Sequence, residues 1–488
     1  SHFIYRNAGT VLLKGKDSPI QCYSPLTRRT EQLYGYGFVG RSGELKKLNS
    51  LIEGGRSVVL VEGEAGIGKT RLLRELSSGL ESEGCTVLQG TCPEMSETDA
   101  LFSSLIGNMT GMLIDDPGAA RKSKLWKLVH ELDDESRTLA KREPFIGSML
   151  FSLSYPDSDY EKLSPKLRRE NLLDGICDLV RLHGEPCCVI LEDLHNATDQ
   201  DLEALGYIVR KLIRYTRGDV SFVLSRRPDS RELAEYTDVP AHRIRLDNLK
   251  MEEQEELMEL VLEGHPLEAD LEKLMVERTG GNPFYLLQFL KYLTEEKLIR
   301  LEDGTWRRTP GYENHELPES VFSMIMARID RLEARAKESL RIGSVVGSIF
   351  DENTVQRVAG RRVHGELIRC TKAGLTLQSE LSDLEYIFKH TLIREVCYDS
   401  ILRKRRTKLH GEIGNILEEL HRDRPEALSG ILAHHFTMGR NWNKTVRYSI
   451  MAGERAAAEY RNQNALERFQ DALDIMAKHS AGDSEAMA

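Results

Sequence analysis

The chain has 488 residues, 40% hydrophobic and 30% charged, with a formal net charge of −10. That length exceeds one ordinary core and predicts about two to four domains of a soluble globular protein. The acidic balance argues against a dedicated nucleic-acid surface, which needs concentrated Lys and Arg; the run Arg403-Lys404-Arg405-Arg406 reads as a solvated helix face.

The eight cysteines are scattered without paired ligand spacing, which suits a reducing cytosol and predicts a cytoplasmic chain. No apolar stretch approaches the ~18 residues that span a bilayer. The chain begins at Ser1, and we expect it to be a piece of something longer.

In chain order, Val11-Leu12-Leu13-Lys14, a Gly15-to-Pro19 turn and Ile20-Gln21-Cys22-Tyr23 predict a β-hairpin, the remnant of a preceding domain. From Tyr36 the pattern becomes strand alternating with helix. Residues 57–62 form a β-branched run, and 70–78 carry the helical spacing Leu72, Leu73, Leu76. Short strands are expected at 85–88, 187–191 and 220–224, with helices over 95–185 broken near Pro117. This alternation predicts an α/β fold, a parallel sheet covered by helices. Beyond about residue 250 strand signals fade, giving helices at 251–263, 267–278 and 284–296, the last after the breaker Gly280-Gly281-Asn282-Pro283. Leu317-Pro318-Glu319-Ser320 opens another helical group. Over 425–478, Asn441-Trp442, Tyr448, Ala452, Ala456, Ala458, Tyr460, Ala465, Phe469 and Ala472 resemble a tetratricopeptide-type helix pair.

The chemistry lies in Gly63-Glu64-Ala65-Gly66-Ile67-Gly68-Lys69-Thr70, a complete Walker A motif between an apolar strand and an amphipathic helix. Gly63, Gly66 and Gly68 let the loop turn its N–H groups onto a phosphate, and the following helix adds its positive end. Lys69 is expected to bridge the β- and γ-phosphates of ATP, and the Thr70 hydroxyl to ligate Mg²⁺. Cys187-Cys188-Val189-Ile190-Leu191-Glu192-Asp193 supplies the acids of a Walker B strand. By position Glu192 is expected to face Mg²⁺ and Asp193 to orient water. Of Arg226-Arg227-Pro228, which ends the next strand, an arginine is placed to sense the γ-phosphate.

With these pieces in order, the chain resembles the signal-transducing STAND class of P-loop ATPases, AAA ATPase-like modules. More closely, it is similar to the region that follows the class III cyclase domain in soluble adenylyl cyclase-like proteins, and to maltose-regulator-like transcription activators. Phe38-Val39-Gly40-Arg41 resembles the opening motif, implying that Arg41 contacts adenine and ribose. Leu191 through Asp199 resembles the extended Walker B, with Asn196 where Trp is typical. Arg226-Arg227-Pro228 resembles the sensor, with Arg227 at the sensing position. Gly281-Asn282-Pro283 implies a proline packed on adenine, and Phe388-Lys389-His390 through Glu395 with Tyr398 implies a winged-helix His390 at the β-phosphate.

The resemblance implies a P-loop NTPase core at 36–248, a helical lid at 249–310, a winged-helix domain at 311–424 and tetratricopeptide-like helices at 425–488. Residues 1–35 resemble the closing hairpin of a cyclase domain and a linker. The implied function is a regulatory ATPase switch that hydrolyses ATP slowly, governing a cyclase domain in cis and a protein partner held by the helical repeats. The alternative is an ATP-dependent transcription regulator, although DNA is not an expected partner here.

Overall fold

The computed structural model describes residues 3–11, 20–28, 37–94, 99–112, 116–133, 137–156, 158–215, 219–230, 235–310, 312, 317–318, 320–378, 384–422, 425–458 and 461–485. The expected turn at 12–19, together with Tyr36, Glu319 and Tyr460, lies outside the described residues. The chain divides into two compact units: 1–43 with 70–76 and 248–317, and the remainder.

The first unit holds an antiparallel hairpin, β1 (Phe3–Val11) and β2 (Ile20–Arg28), with Val11 opposite Ile20. It also holds three helices, α8 (Met251–Val261), α9 (Ala269–Thr279) and α10 (Pro283–Glu295). A second hairpin, β8 (Ile299–Glu302) with β9 (Thr305–Arg308), was not foreseen.

The second unit is built on a five-stranded, all-parallel sheet in the order β4-β5-β6-β3-β7. Its strands are β3 (Val58–Glu62), β4 (Thr86–Thr91), β5 (Cys187–Glu192), β6 (Val220–Arg226) and β7 (His242–Arg245). The three inner strands β5, β6 and β3 are apolar on both faces, as a sheet covered by helices requires. The P-loop helix α2 (Lys69–Ser82) follows β3 in sequence. Leu105, Ile176 and Leu205, from helices α3 (Ala100–Thr110), α6 (Pro165–Leu182) and α7 (Asp199–Arg210), share one buried cluster with Leu60, Val189 and Phe222.

A winged helix follows: α11 (Val321–Asp330), α12 (Ala334–Val346), α13 (Glu352–Ala359) and α14 (His364–Lys372). Its small antiparallel sheet places β12 (Glu385–Phe388) between β10 (Ile349–Asp351) and β11 (Thr376–Gln378). Ser320 caps α11 by accepting from the Ser323 amide. Pro318 therefore stands ahead of the cap and not inside the helix. Helix α15 (Thr391–Asp399) closes this part.

Among the described residues the C-terminal part holds helices and no strand: α16 (Arg403–Leu420), α17 (Ser429–Met438), α18 (Trp442–Ala458) and α19 (Asn462–Glu485). Tyr448 stacks on Phe436 and donates its hydroxyl to Glu418 at 2.6 Å. Gly453 lies where a Cβ would meet the Phe469 ring at 2.6 Å, so a glycine lets α18 and α19 approach.

Three histidines sit where α16 and α17 meet. Tyr398 Oη lies 2.9 Å from His410 Nε2, and His410 Nδ1 lies 3.0 Å from His435 Nδ1, with the His434 ring alongside. With the tyrosine donating, His410 is protonated on Nδ1 and donates to His435, so both rings are neutral. Burial, then His434 and the guanidiniums of Arg406 and Arg394, push His410 down to about 3. Burial, then His410 and His434, push His435 well below its ordinary value. A histidine held below its unfolded value of about 6.5 stabilises the fold above that pH and loses this contribution as pH falls through the window beneath it. Lowering the pH from 7.5 to 5.5 should therefore cost about 1 kcal/mol for each of these two histidines. Thermal melting at both pH values should show a smaller drop in the double variant His410→Gln/His435→Gln; equal drops would refute the assignment.

Candidate nucleotide site

Backbone geometry shapes the loop after β3. The Gly63 amide donates to the Arg226 carbonyl at 3.3 Å. A Cβ at Gly63 would stand 2.7 Å from Ile67 Cγ2 and 3.2 Å from the Leu246 carbonyl oxygen. Gly66 (φ +78°) and Gly68 (φ +101°) take the left-handed turns that other residues pay strain to adopt. Gly68 then occupies the N-cap of α2 with no side-chain cap, so the end of the helix presents its N–H groups and positive dipole. Lys69 is buried, and its ammonium donates to the carbonyls of Gly63 at 2.6 Å and Glu64 at 3.0 Å. Thr70 follows it in the first turn.

The strand ends beside this loop carry the acids and arginines. Glu192 closes β5 opposite Thr91. Asp193, at φ +59°, leaves the strand and donates its amide to Ser225 Oγ at 3.1 Å. Burial raises the Asp193 carboxyl above its ordinary range, Lys69 and Arg227 oppose the rise, and Glu94 adds to it. Burial lowers the Lys69 ammonium, and among the acids Asp193 opposes that more strongly than Glu192.

The two arginines of the third strand end separate cleanly. Arg226 is buried in an ion pair with Glu62 and donates to the Ser230 carbonyl at 3.3 Å, bracing the strand behind the loop. Arg227 is half-exposed, 4.0 Å from Glu395 of α15, and its charge acts on Lys69, Asp193 and His390.

His390 is the N-cap of α15. Its Nδ1 accepts from the Leu392 amide at 3.1 Å, which leaves Nε2 to carry the proton of the neutral ring. Burial, then Lys69 and Arg227, push it down to about 4. It is therefore a neutral N–H donor beside two cations, a combination suited to an anion. The second unit thus gathers Lys69, Asp193, Arg227 and His390 in one electrostatic neighbourhood.

Arg41 and Pro283 belong to the first unit, Arg41 against the first turn of α8 and Pro283 at the start of α10. Arg41 is buried at φ +58°, and its amide donates to Glu253 Oε1 at 3.3 Å; Glu253 Oε2 takes the Lys250 amide at 2.9 Å. Leu249 donates to the Gly281 carbonyl at 2.9 Å, and Gly281 turns at φ +80° where a Cβ would meet the Leu249 carbonyl at 2.7 Å. Asn282 Oδ1 caps α10 by accepting from Phe284 and Tyr285, with Pro283 as the first helical residue.

Sequence reasoning missed Glu94 and gave His195, inside the extended Walker B run, no role of its own. His195 lies 3.9 Å from Asp193 through Nδ1, and burial with Arg227 and Lys69 pushes it down to about 4. Glu94, just past β4, binds Arg394 of α15 and accepts from Ser348 Oγ at 3.2 Å. An acid a few residues past the strand beside Walker B was the one available signal. The rest of the extended Walker B is structural: Asn196 Nδ2 donates to the Cys92 carbonyl at 3.1 Å, and Thr198 and Asp201 form a reciprocal cap on α7.

Residues 37–223 match the AAA ATPase domain family. With the P-loop sheet, this marks residues 37–223 as an ATPase module. Among individual proteins, the chain is 24% identical over 518 aligned positions to an uncharacterized protein of Rhizobium meliloti (strain 1021), covering 98% of this chain and 47% of that one. It thus spans about half the length of that curated relative. Among solved structures it is similar to a Signal Transduction ATPase with Numerous Domains (STAND) protein with a tetratricopeptide repeat sensor from Pyrococcus horikoshii (14% identity, TM-score 0.47, 90% of this chain and 58% of that chain). It is also similar to a Walker-type ATPase of Pyrococcus abyssi (14% identity, TM-score 0.33, 74% and 96%). Among the described residues, no helix is long and apolar enough to cross a membrane.

Proposed function

We propose that this chain is a nucleotide-dependent switch that binds ATP and ADP at the P-loop and hydrolyses ATP slowly. The observation that carries the reading is the neutral His390 N–H, borne by the winged helix, beside Lys69 of the P-loop and the sensor candidate Arg227. A bound diphosphate would hold the winged helix through His390, and a γ-phosphate would compete for Arg227. Nucleotide can bias such a switch only by its different affinity for the two arrangements.

Lys69 and the Gly63–Gly66–Gly68 loop hold phosphate in this reading, Asp193 orients the attacking water, and Arg41 and Pro283 contact ribose and adenine as the resemblance implies. Thr70 and Glu192 offer the oxygen ligands that Mg²⁺ prefers, and a Mg²⁺ carried on substrate phosphates needs only one or two of them from protein. That ion would neutralise charge on the phosphates. The C-terminal helices are read as tetratricopeptide-like and as the seat of a protein partner. The N-terminal hairpin is read as the edge of a cyclase domain governed in cis, in a cytoplasmic signalling protein.

The test is a pair of measurements on the purified chain: affinity for fluorescent ATP and ADP, and steady-state turnover. The reading expects tight ADP binding with turnover well below the ordinary enzyme value of ~10 s⁻¹. Absence of binding, or turnover above that value, would sink it.

A further inference from the structure

The winged helix reaches the ATPase core through a second ion pair that the nucleotide reading leaves without a role. Arg394 Nη1 binds Glu94 Oε2, and Ser348 Oγ donates to the same oxygen at 3.2 Å. Arg394 is fixed from behind by its Nε, which donates to the Ser344 carbonyl at 3.1 Å. The guanidinium is 8% exposed and the carboxylate 21%, so the pair is largely desolvated and its geometry is specific.

Glu94's place in the sheet gives this pair its meaning. It follows β4, whose last residue Thr91 pairs with Glu192 at the end of the Walker B strand. In an open parallel sheet, ligands bind in the crevice outside the carboxyl ends of the strands. Glu94 stands at that edge, close enough for its charge to reach Asp193. A carboxylate there is placed to take a proton from water, but Arg394 and Ser348 both occupy its Oε2 and turn that oxygen toward the winged helix.

We propose that Glu94 is a second water-activating carboxylate of the nucleotide site, and that Arg394 and Ser348 of the winged helix withhold it. This rests on the ATPase reading above. In the hydrolytic step the water oxygen bonds to the γ-phosphorus while the bond to the β,γ-bridging oxygen breaks. ADP leaves with that electron pair, and the water proton passes to the carboxylate and on to solvent. Undocking of the winged helix frees Glu94 for that proton, so hydrolysis is coupled to opening.

The variants Arg394→Gln, Glu94→Gln and their combination test this in the whole chain, with Ser348→Ala as a milder release should Arg394→Gln melt early. Turnover and fluorescent-ADP affinity are measured for each. The proposal expects Arg394→Gln to raise turnover three- to tenfold, Ser348→Ala to raise it less, and Glu94→Gln to remove the gain in the double variant. An equal rise in Glu94→Gln alone would make Glu94 a docking anchor only and overturn the proposal; so would unchanged turnover in both Arg394→Gln and Ser348→Ala. In either case the wild-type chain still binds and hydrolyses ATP, whereas failure of the ATPase reading appears as no nucleotide binding by the wild type and removes the proposal with it.

Discussion

Replacing Lys69 with alanine is expected to lower nucleotide affinity at least ~100-fold, about 2.7 kcal/mol. The ammonium is buried and already directed by two loop carbonyls, so it meets a phosphate without first being ordered. Charge-assisted bonds in such a setting contribute about 1.5–3 kcal/mol each. The Gly63 and Glu64 carbonyls also lose their donor, which loosens the loop that offers its N–H groups. Calorimetry with ADP would give the affinity, and melting would give an independent reading. A ligand at ~100 times its Kd stabilises the wild-type fold by about 2.7 kcal/mol, and at the same concentration this should fall to about 0.4 kcal/mol or less in the variant. Affinity retained within a few-fold would remove Lys69 from the site.

The second large effect is expected at the Walker B acids. Asp193→Asn should lower the single-turnover rate of ATP hydrolysis ~100-fold, the usual yield of a positioned base. Affinity should hold or improve, because the change removes a negative charge from beside Lys69. The two parameters therefore move apart, which loss of folding would not produce. Burial raises the Asp193 carboxyl, so the acid limb of the wild-type rate profile should lie above the ordinary carboxylate range, rates falling as pH drops through it. That limb should be absent from the variant. Turnover equal to wild type would transfer the role to Glu192.

The ATPase core was legible in the sequence because its geometry is written in local residue types. Glycines at 66 and 68 are the cheap way to make the loop's left-handed turns, and strands buried on both faces must be continuously apolar, as Val58–Val61 and Cys187–Leu191 are. Strand β7 escaped notice for the opposite reason. Of its residues His242, Arg243, Ile244 and Arg245 only Ile244 is buried, and backbone pairing to β3 holds the strand at the sheet edge. The β8–β9 hairpin is similarly polar. At the site, motif spacing led to Lys69 and Asp193, and the resemblance chose Arg227 over Arg226; the physical ground for that choice, the pairing of Arg226 with Glu62 on the neighbouring strand, was not legible. The pairing of Glu94 was not legible because its partner lies 300 residues away.

Helix α15 carries His390, Arg394 and Tyr398 at intervals of four residues, which places them along one face. The first lies beside Lys69, the second grips Glu94, and the third meets His410 at the entry to the C-terminal helices. From His390 to Tyr398 the rise is about 12 Å. A helix this short acts as a rigid gauge block: its three contacts are cut to a common length. A tilt that moves His390 away from Lys69 must shift Tyr398 against His410. On the switch reading proposed above, a displacement of the C-terminal helices would likewise return to His390, so a change at either end would be felt at the other.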